Sequence, residues 1–330
     1  MDTSKNIKYY NELDDEGRFD WPGKTSQRPA KKKSASATAA SRDYIQEQDD
    51  SRRTFSYTYT AARFEEGWLL DSLGYFYEQH WISDVLRKIK GGKEASVYLC
   101  KAGEQVDTPL VAAKVYRPRM LRNLKNDQLY RLGRPVLDEN GNPIVDLGML
   151  KAQHKRSVYG EQIRHQSWIA YEFNTLQALH EAGVDVPRPY EMGNNAILMT
   201  YVGDERAAAP TLNSVRLPQD RIGPLFQRLV RNIELMLAHQ VIHGDLSAYN
   251  VLYWEGDVVL IDFPQVVSPQ HNRNAFPIFE RDVLRLCEYF TQSGLRLDPG
   301  RLARDLWSAG GFPLRPEIPR AFLEAGGPDE

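Results

Sequence analysis

Cysteine is scarce in this chain: two thiols, Cys100 and Cys287, in 330 residues. Each stands beside an apolar run. That excludes a disulfide framework and zinc-ligand spacing, and both are expected as core thiols. Long apolar runs are lacking too. None approaches the roughly 18 residues that a membrane span needs. The opening MDTSKNIKYYNELDDEGRFD has no apolar signal core. A reducing cytoplasm and no membrane contact are therefore expected. Charge of one sign is not in excess either, since 42 Lys and Arg stand against 44 Asp and Glu. The resulting net charge of −2 gives the molecule no bulk attraction for nucleic acid. No Gly-x-Gly-x-x-Gly run occurs. What remains is an ordinary globular composition, with length for two domains or one bilobal one.

Residues 1–60 read as a disordered polar tail. KTSQRPAKKKSASATAASRDYIQEQDDSRR has almost no large apolar side chains to drive ordering. Eleven Lys and Arg stand against ten Asp and Glu over residues 1–60. Lys31-Lys32-Lys33 is thus read as local charge on a solvated tail, although such a run can touch phosphates. From Ala61 the pattern changes. Phe64, Trp68, Leu69, Leu73 and Phe76 recur at helical spacing, which predicts an amphipathic helical extension over 61–88.

The segment 89–203 reads as a small sheet-rich lobe. Val97-Tyr98-Leu99 and Leu110–Tyr116 form an expected antiparallel pair. An insert at 117–165 carries ten Lys and Arg against five Asp and Glu, with a turn expected at Asn140-Gly141. A helix over 166–182 stops at Gly183, and AILMTYVG reads as a buried strand. Residues 204–330 read as a short helical lobe, with helices over 218–240 and through RDVLRLCEYFTQSG. Early strands and late helices suit a two-lobed α+β architecture.

The chemistry concentrates in VIHGDLSAYNVLYWEGDVVLIDF, Val241 to Phe263. Phosphoryl transfer needs positioning and charge neutralisation rather than covalent work by the protein. A carboxylate must orient the attacking hydroxyl, and a carboxylate and an amide oxygen must hold Mg²⁺. Asp245 and Asn250 have the five-residue spacing of the catalytic Asp and metal Asn of kinases. Asp262 follows the run VVLI, where a second metal-binding Asp is expected. His243 is read as a loop brace. Lys114 lies inside an apolar strand, a costly place unless it is paired. Glu172, mid-helix in IAYEFNTL, is the natural partner. Gly91-Gly92, Ala95 and Ser96 stand where a phosphate cover is expected. A Gly, Gly244, replaces the Arg that most protein kinases carry before the catalytic Asp.

These residues resemble the RIO family of atypical serine/threonine protein kinases. The matching pieces run in order from about residue 65 to 291: GGKEASVYLC, VAAKVYR, YEFNTL, ILMTYVG, HGDLSAYNVL, IDFPQVVSPQHNRNA and RDVLRLCEYF. Pro264-Gln265 after IDF is the most specific piece. The resemblance implies a bilobal kinase-like fold with a small antiparallel-sheet N-lobe and a truncated helical C-lobe. It implies ATP with Mg²⁺, or Mn²⁺ in its place, as cofactors. Ser96 and Lys114 would contact phosphates. Thr200 and Val202 backbone groups would hold adenine, with Met199 as gatekeeper. Asp245 would be catalytic; Asn250 and Asp262 would bind metal, Asp262 also as the site of a 4-aspartylphosphate intermediate. Serine autophosphorylation, ATPase activity and a protein substrate or the chain itself as acceptor are implied, with ribosomal RNA contact through insert 117–165.

Ala248 departs from the Glu common in the family, the insert is unusual, and no winged-helix pattern precedes the kinase-like part. A divergent, bacterial relative fits these departures. Two other readings stand beside this one. Aminoglycoside and choline phosphotransferases share the His-Gly-Asp and Ile-Asp-Phe pieces, but would carry a larger helical region than the 68 residues after Asp262. A nucleotide-switched RNA-binding scaffold would use the basic insert. Only 18 residues separate Asp262 from Arg281, and no Ala-Pro-Glu follows. An activation segment with its peptide platform is thus expected to be absent.

Overall fold

The computed structural model describes residues 55–92, 94–117, 134–154 and 157–314. Expectations for the tail before residue 55, for Lys31–Lys33 and for residues 118–133 of the insert lie outside these ranges.

The N-lobe is built on a helix, α1 (Arg63–Glu78), and three antiparallel strands: β1 (Ile82–Gly91), β2 (Ala95–Ala102) and β3 (Leu110–Tyr116). Two further helices follow, α2 (Leu147–His154) and α3 (Val158–Glu181), then β4 (Pro189–Met192) and β5 (Ala196–Thr200). The sheet order is β1-β2-β3-β5-β4, antiparallel throughout. Val111, Ala113 and Val115 of β3 pack with Tyr98, Cys100 and Leu198 against Leu69, Leu73 and Phe76 of α1. Each fully buried Val, Leu or Phe side chain among them contributes about 1.5–3 kcal/mol. The period-2 alternation of strands turns Ala112 and Tyr116 to the other face, into the core that continues through the C-lobe.

The C-lobe holds α4 (Gln219–Ala238), a β-ribbon of β6 (Val251–Trp254) and β7 (Asp257–Leu260), α5 (Ala275–Gln292) and α6 (Pro299–Ala309). Ile222, Leu225, Leu229, Ile233 and Met236 line the buried face of α4 at three- and four-residue spacing. Glu255 and Gly256 both take positive φ, as a two-residue hairpin turn between twisted strands requires. The α6 helix is capped by Asp298, whose carboxylate accepts from Arg301 N at 2.9 Å. This is an α+β, bilobal kinase-like fold. No helix among the described residues is long and apolar enough to cross a membrane.

Several expected elements differ in extent. The helical extension expected over 61–88 is helix only to Glu78, and residues from Ile82 form an edge strand. The helix expected over 166–182 starts earlier, at Val158, where Ser157 Oγ accepts from Gly160 N at 3.1 Å. Gly141 makes its turn with φ +80°, but the flanks meet through a single bridge, Leu137 to Pro143, rather than as strands. Both cysteines are buried free thiols.

Candidate active site

A cavity of about 560 Å³ opens between the sheet and the β6–β7 ribbon. Ala95, Val97, Ala112, Met199 and Leu252 give it apolar walls, and Lys114, Glu172, Asp245, Asn250 and Asp262 supply its polar part. Thr200 and Val202 also line it. Thr200 N–H donates to Arg188 O and Val202 O accepts from Ala209 N–H, each at 2.9 Å.

Strand alternation decides which side chains of β2 and β3 enter the cavity. Lys114 does, two residues after Ala112. Ser96 does not: it is buried on the opposite face of β2, the side of Tyr98 and Cys100, while Ala95 and Val97 face inward. The side chain expected to contact phosphates therefore points away from the cavity.

Lys114 Nζ donates to Glu172 Oε1 at 2.5 Å and to Asp262 Oδ1 at 2.6 Å. Burial works against its ammonium charge, but the two carboxylates outweigh it and hold the Lys114 pKa above the ordinary lysine value. Burial likewise opposes the Asp262 carboxylate, and Lys114 reverses this, so its pKa lies below the usual range. Glu172 is fixed from three directions. Besides Lys114, Tyr116 Oη donates to Oε2 at 2.7 Å and Phe263 N to Oε1 at 3.3 Å. Its side chain is 1% exposed, whereas that of Asp262 is 46% exposed and faces the cavity. Asp262 has φ +73°, a left-handed conformation that a non-glycine residue adopts at a cost and that clusters at functional sites.

The loop bearing Asp245 is built around Gly244, at φ +84°. A Cβ there would lie 2.2 Å from Gln265 O. Any side chain, arginine included, is thus barred by contact with the segment after Asp262. Gly244 N donates to buried Asp282 at 2.7 Å, and Arg281 donates to the Gly244 carbonyl. Burial pushes the Asp282 carboxyl upward in pKa. His243 is a brace: its ring lies tilted against Phe263 with centroids 4.5 Å apart, and Nε2 lies 3.1 Å from Ile261 O. Asn250 Nδ2 donates to Asp245 O at 2.9 Å and lies 3.3 Å from Asp245 Oδ2. Asp245 Oδ1 accepts from Arg285 Nη1 at 2.7 Å.

Three contributors escaped sequence reasoning. Tyr116 could have been found, because it shares the strand face of Lys114. Arg285 and Arg134 could not. Arg134 Nε donates to Val266 O at 3.0 Å and Nη1 to Pro264 O at 3.2 Å, and its guanidinium stacks on Tyr171 at 4.4 Å. Nothing local to its sequence marks it as a clamp on the Asp262 segment.

The model of the RIO domain family matches residues 146–300. The RIO-type serine/threonine-protein kinase Rio1 of Thermoplasma acidophilum is 30% identical over 135 residues, 41% of this chain and 69% of the relative. The Rio1 of Haloferax volcanii is 31% identical over 212 residues, 64% of each chain. Serine/threonine-protein kinase RIO2 of Caenorhabditis elegans is 33% identical over 177 residues, half of this chain but only 32% of the relative.

Proposed function

This chain belongs to the RIO family of serine/threonine kinases, and from that premise we propose that it is an ATP- and Mg²⁺-dependent serine/threonine kinase with ATPase activity. The observation that carries the reading is Lys114 held between Glu172 and Asp262, at 2.5 and 2.6 Å, in one cavity with Asp245 and Asn250. A buried cation with two carboxylates is costly without a purpose, and phosphate binding supplies one.

The oxygen donors fit a hard divalent cation. Asp262 offers a carboxylate facing the cavity. The Asn250 Nδ2 points at Asp245, which leaves its amide oxygen for a metal. When bound, Mg²⁺ or Mn²⁺ would neutralise phosphate charge. Lys114 would draw the phosphates to the sheet, and Glu172 would keep its ammonium in place. A purine would be met by the Thr200 carbonyl and the Val202 N–H, beside Met199. Asp245 would take the proton of the attacking hydroxyl. The exposed face of Asp262 also suits a transient 4-aspartylphosphate. The acceptor is the chain's own serine or another protein, in the cytoplasm; the basic insert would add a salt-dependent contact with RNA.

Incubation with labelled ATP and mass spectrometry tests the reading. Asp245→Ala and Asp262→Ala should each lower turnover about 100-fold or more, the size of losing a preorganised electrostatic group. Wild-type rates in both variants would refute the site. Phosphoserine survives acid, whereas an acyl phosphate on Asp262 is released by hydroxylamine.

A further inference from the structure

The carboxylate of Asp245 is already occupied. Its Oδ1 holds Arg285 Nη1 at 2.7 Å, and Asn250 Nδ2 stands 3.3 Å from Oδ2. Oδ1 must therefore release or share a guanidinium before it can receive a hydroxyl proton. Arg285 lies on α5, with its side chain 41% exposed and that of Asp245 45% exposed. Among the described residues Arg285 makes no other hydrogen bond or ion pair. That leaves most of its five N–H donors for a ligand. One helical turn earlier, Arg281 donates to the Gly244 carbonyl, so α5 meets the catalytic loop with two arginines. Tyr249, within the loop, is 61% exposed, and Leu284, beside Arg285, is 43% exposed. This is an open, basic edge, unlike the closed pair at Lys114.

We infer that Arg285 is a substrate-operated latch on Asp245, and that the acceptor it admits is a peptide with acidic residues beside its serine. The inference rests on the kinase reading above and names the acceptor class of that site. A half-exposed ion pair is weak and easily exchanged. A carboxylate arriving with the acceptor can take the guanidinium through two parallel hydrogen bonds. Oδ1 is then free. The serine oxygen bonds to the γ-phosphorus as its proton passes to Asp245. The bond from that phosphorus to the β,γ-bridging oxygen breaks, and ADP leaves with the electron pair. A neutral acceptor brings no competing anion, so it meets Oδ1 paired with the guanidinium for more of the time. Arg285 is thus a specificity-determining residue whose effect on Asp245 depends on the acceptor's charge.

The test uses the full chain, Mg²⁺ and ATP, and two synthetic peptides that differ only in Glu or Ala on either side of one serine. Wild type should favour the acidic peptide about tenfold in kcat/KM, the size of one charge-assisted bidentate contact. Arg285→Gln should lose that preference in both directions, with transfer to the acidic peptide falling and transfer to the neutral one rising. Arg285→Lys should keep part of it. A thermal melt unchanged in Arg285→Gln separates the effect from misfolding. Equal transfer to both peptides, or to neither, by wild type that hydrolyses ATP overturns the latch. So does an Arg285→Gln variant that slows both peptides equally, as mere positioning would, or alters neither. Absent ATP turnover in wild type would instead sink the kinase reading itself.

Discussion

Lys114 shows how one side chain can be both expensive and necessary. Its ammonium lies on a buried strand, with the side chain 11% exposed, and only the carboxylates of Glu172 and Asp262 make that tolerable. In Lys114→Met the Glu172 charge would remain, 1% exposed and without its cation. Removing one partner of a buried pair costs about 3–5 kcal/mol. The lower end is expected here, because Tyr116 and Phe263 still donate to Glu172. Urea titration should register that loss, with turnover about 100-fold down. Lys114→Met combined with Glu172→Gln should recover most of the stability and none of the turnover. Gly244 is the opposite case, a residue that matters for what it lacks. Gly244→Ala would bring a Cβ to within 2.2 Å of Gln265 O at a φ of +84°. Strain of about 1–3 kcal/mol is expected at such a position. Thermal melts should show it as a lower midpoint. Both residues were legible in the sequence, one by charge in an apolar strand and one by its place before Asp245. The reason for Gly244 was not, because the packing of Gln265 against it is a contact between loops.

Elements were legible where their periodicity was clean. The helices α4 and α5 carry buried residues at three- and four-residue spacing; α4 was readable to within two positions, whereas α5 begins at Ala275, six residues before the expected start at Arg281. Strand β1 was not. Register shifts interrupt its pairing with β2 at three places, between Ile82 and Asp84, Val85 and Arg87, and Lys88 and Lys90. Its buried residues Ile82 and Val85 are consequently three apart, so no period-2 alternation marks it as a strand. Ser96 was misjudged for a related reason: a slip of one residue in a strand reverses every side chain, and the sequence carried no marker of register. The segment after Asp262 is gripped on two sides, by Gly244 and by Arg134. Arg134 thereby fixes the backbone of Pro264 and Val266 in the short connection from Asp262 to α5. Arg134→Ala should loosen Asp262 more than the purine wall. An apparent Mg²⁺ requirement raised several-fold, with nucleotide affinity measured in EDTA unchanged, is the expected result. A uniform loss of nucleotide binding and stability would instead mark Arg134 as a general structural strut.

Beside the apolar core they share, the two lobes are joined by polar contacts of the candidate site. Lys114 of the sheet reaches Asp262 of the C-lobe, Glu172 of α3 accepts from Phe263 N, and Arg134 reaches Pro264 and Val266. Stability and the geometry of the candidate site are therefore coupled through Asp262, and pH should expose the coupling. Asp262 has a folded-state pKa below its unfolded value. An acid of that kind contributes its stability fully above the unfolded carboxylate pKa of about 3.9. The contribution is lost as pH falls through the lower, folded value, because the proton that binds there must break the pair with Lys114. Melting temperature should then decline below about pH 4. Asp262→Asn should show a shallower decline over that window and a lower midpoint at neutral pH, where the lost carboxylate no longer balances Lys114. Equal slopes in wild type and Asp262→Asn would mean that the Asp262–Lys114 pair does not hold the lobes together.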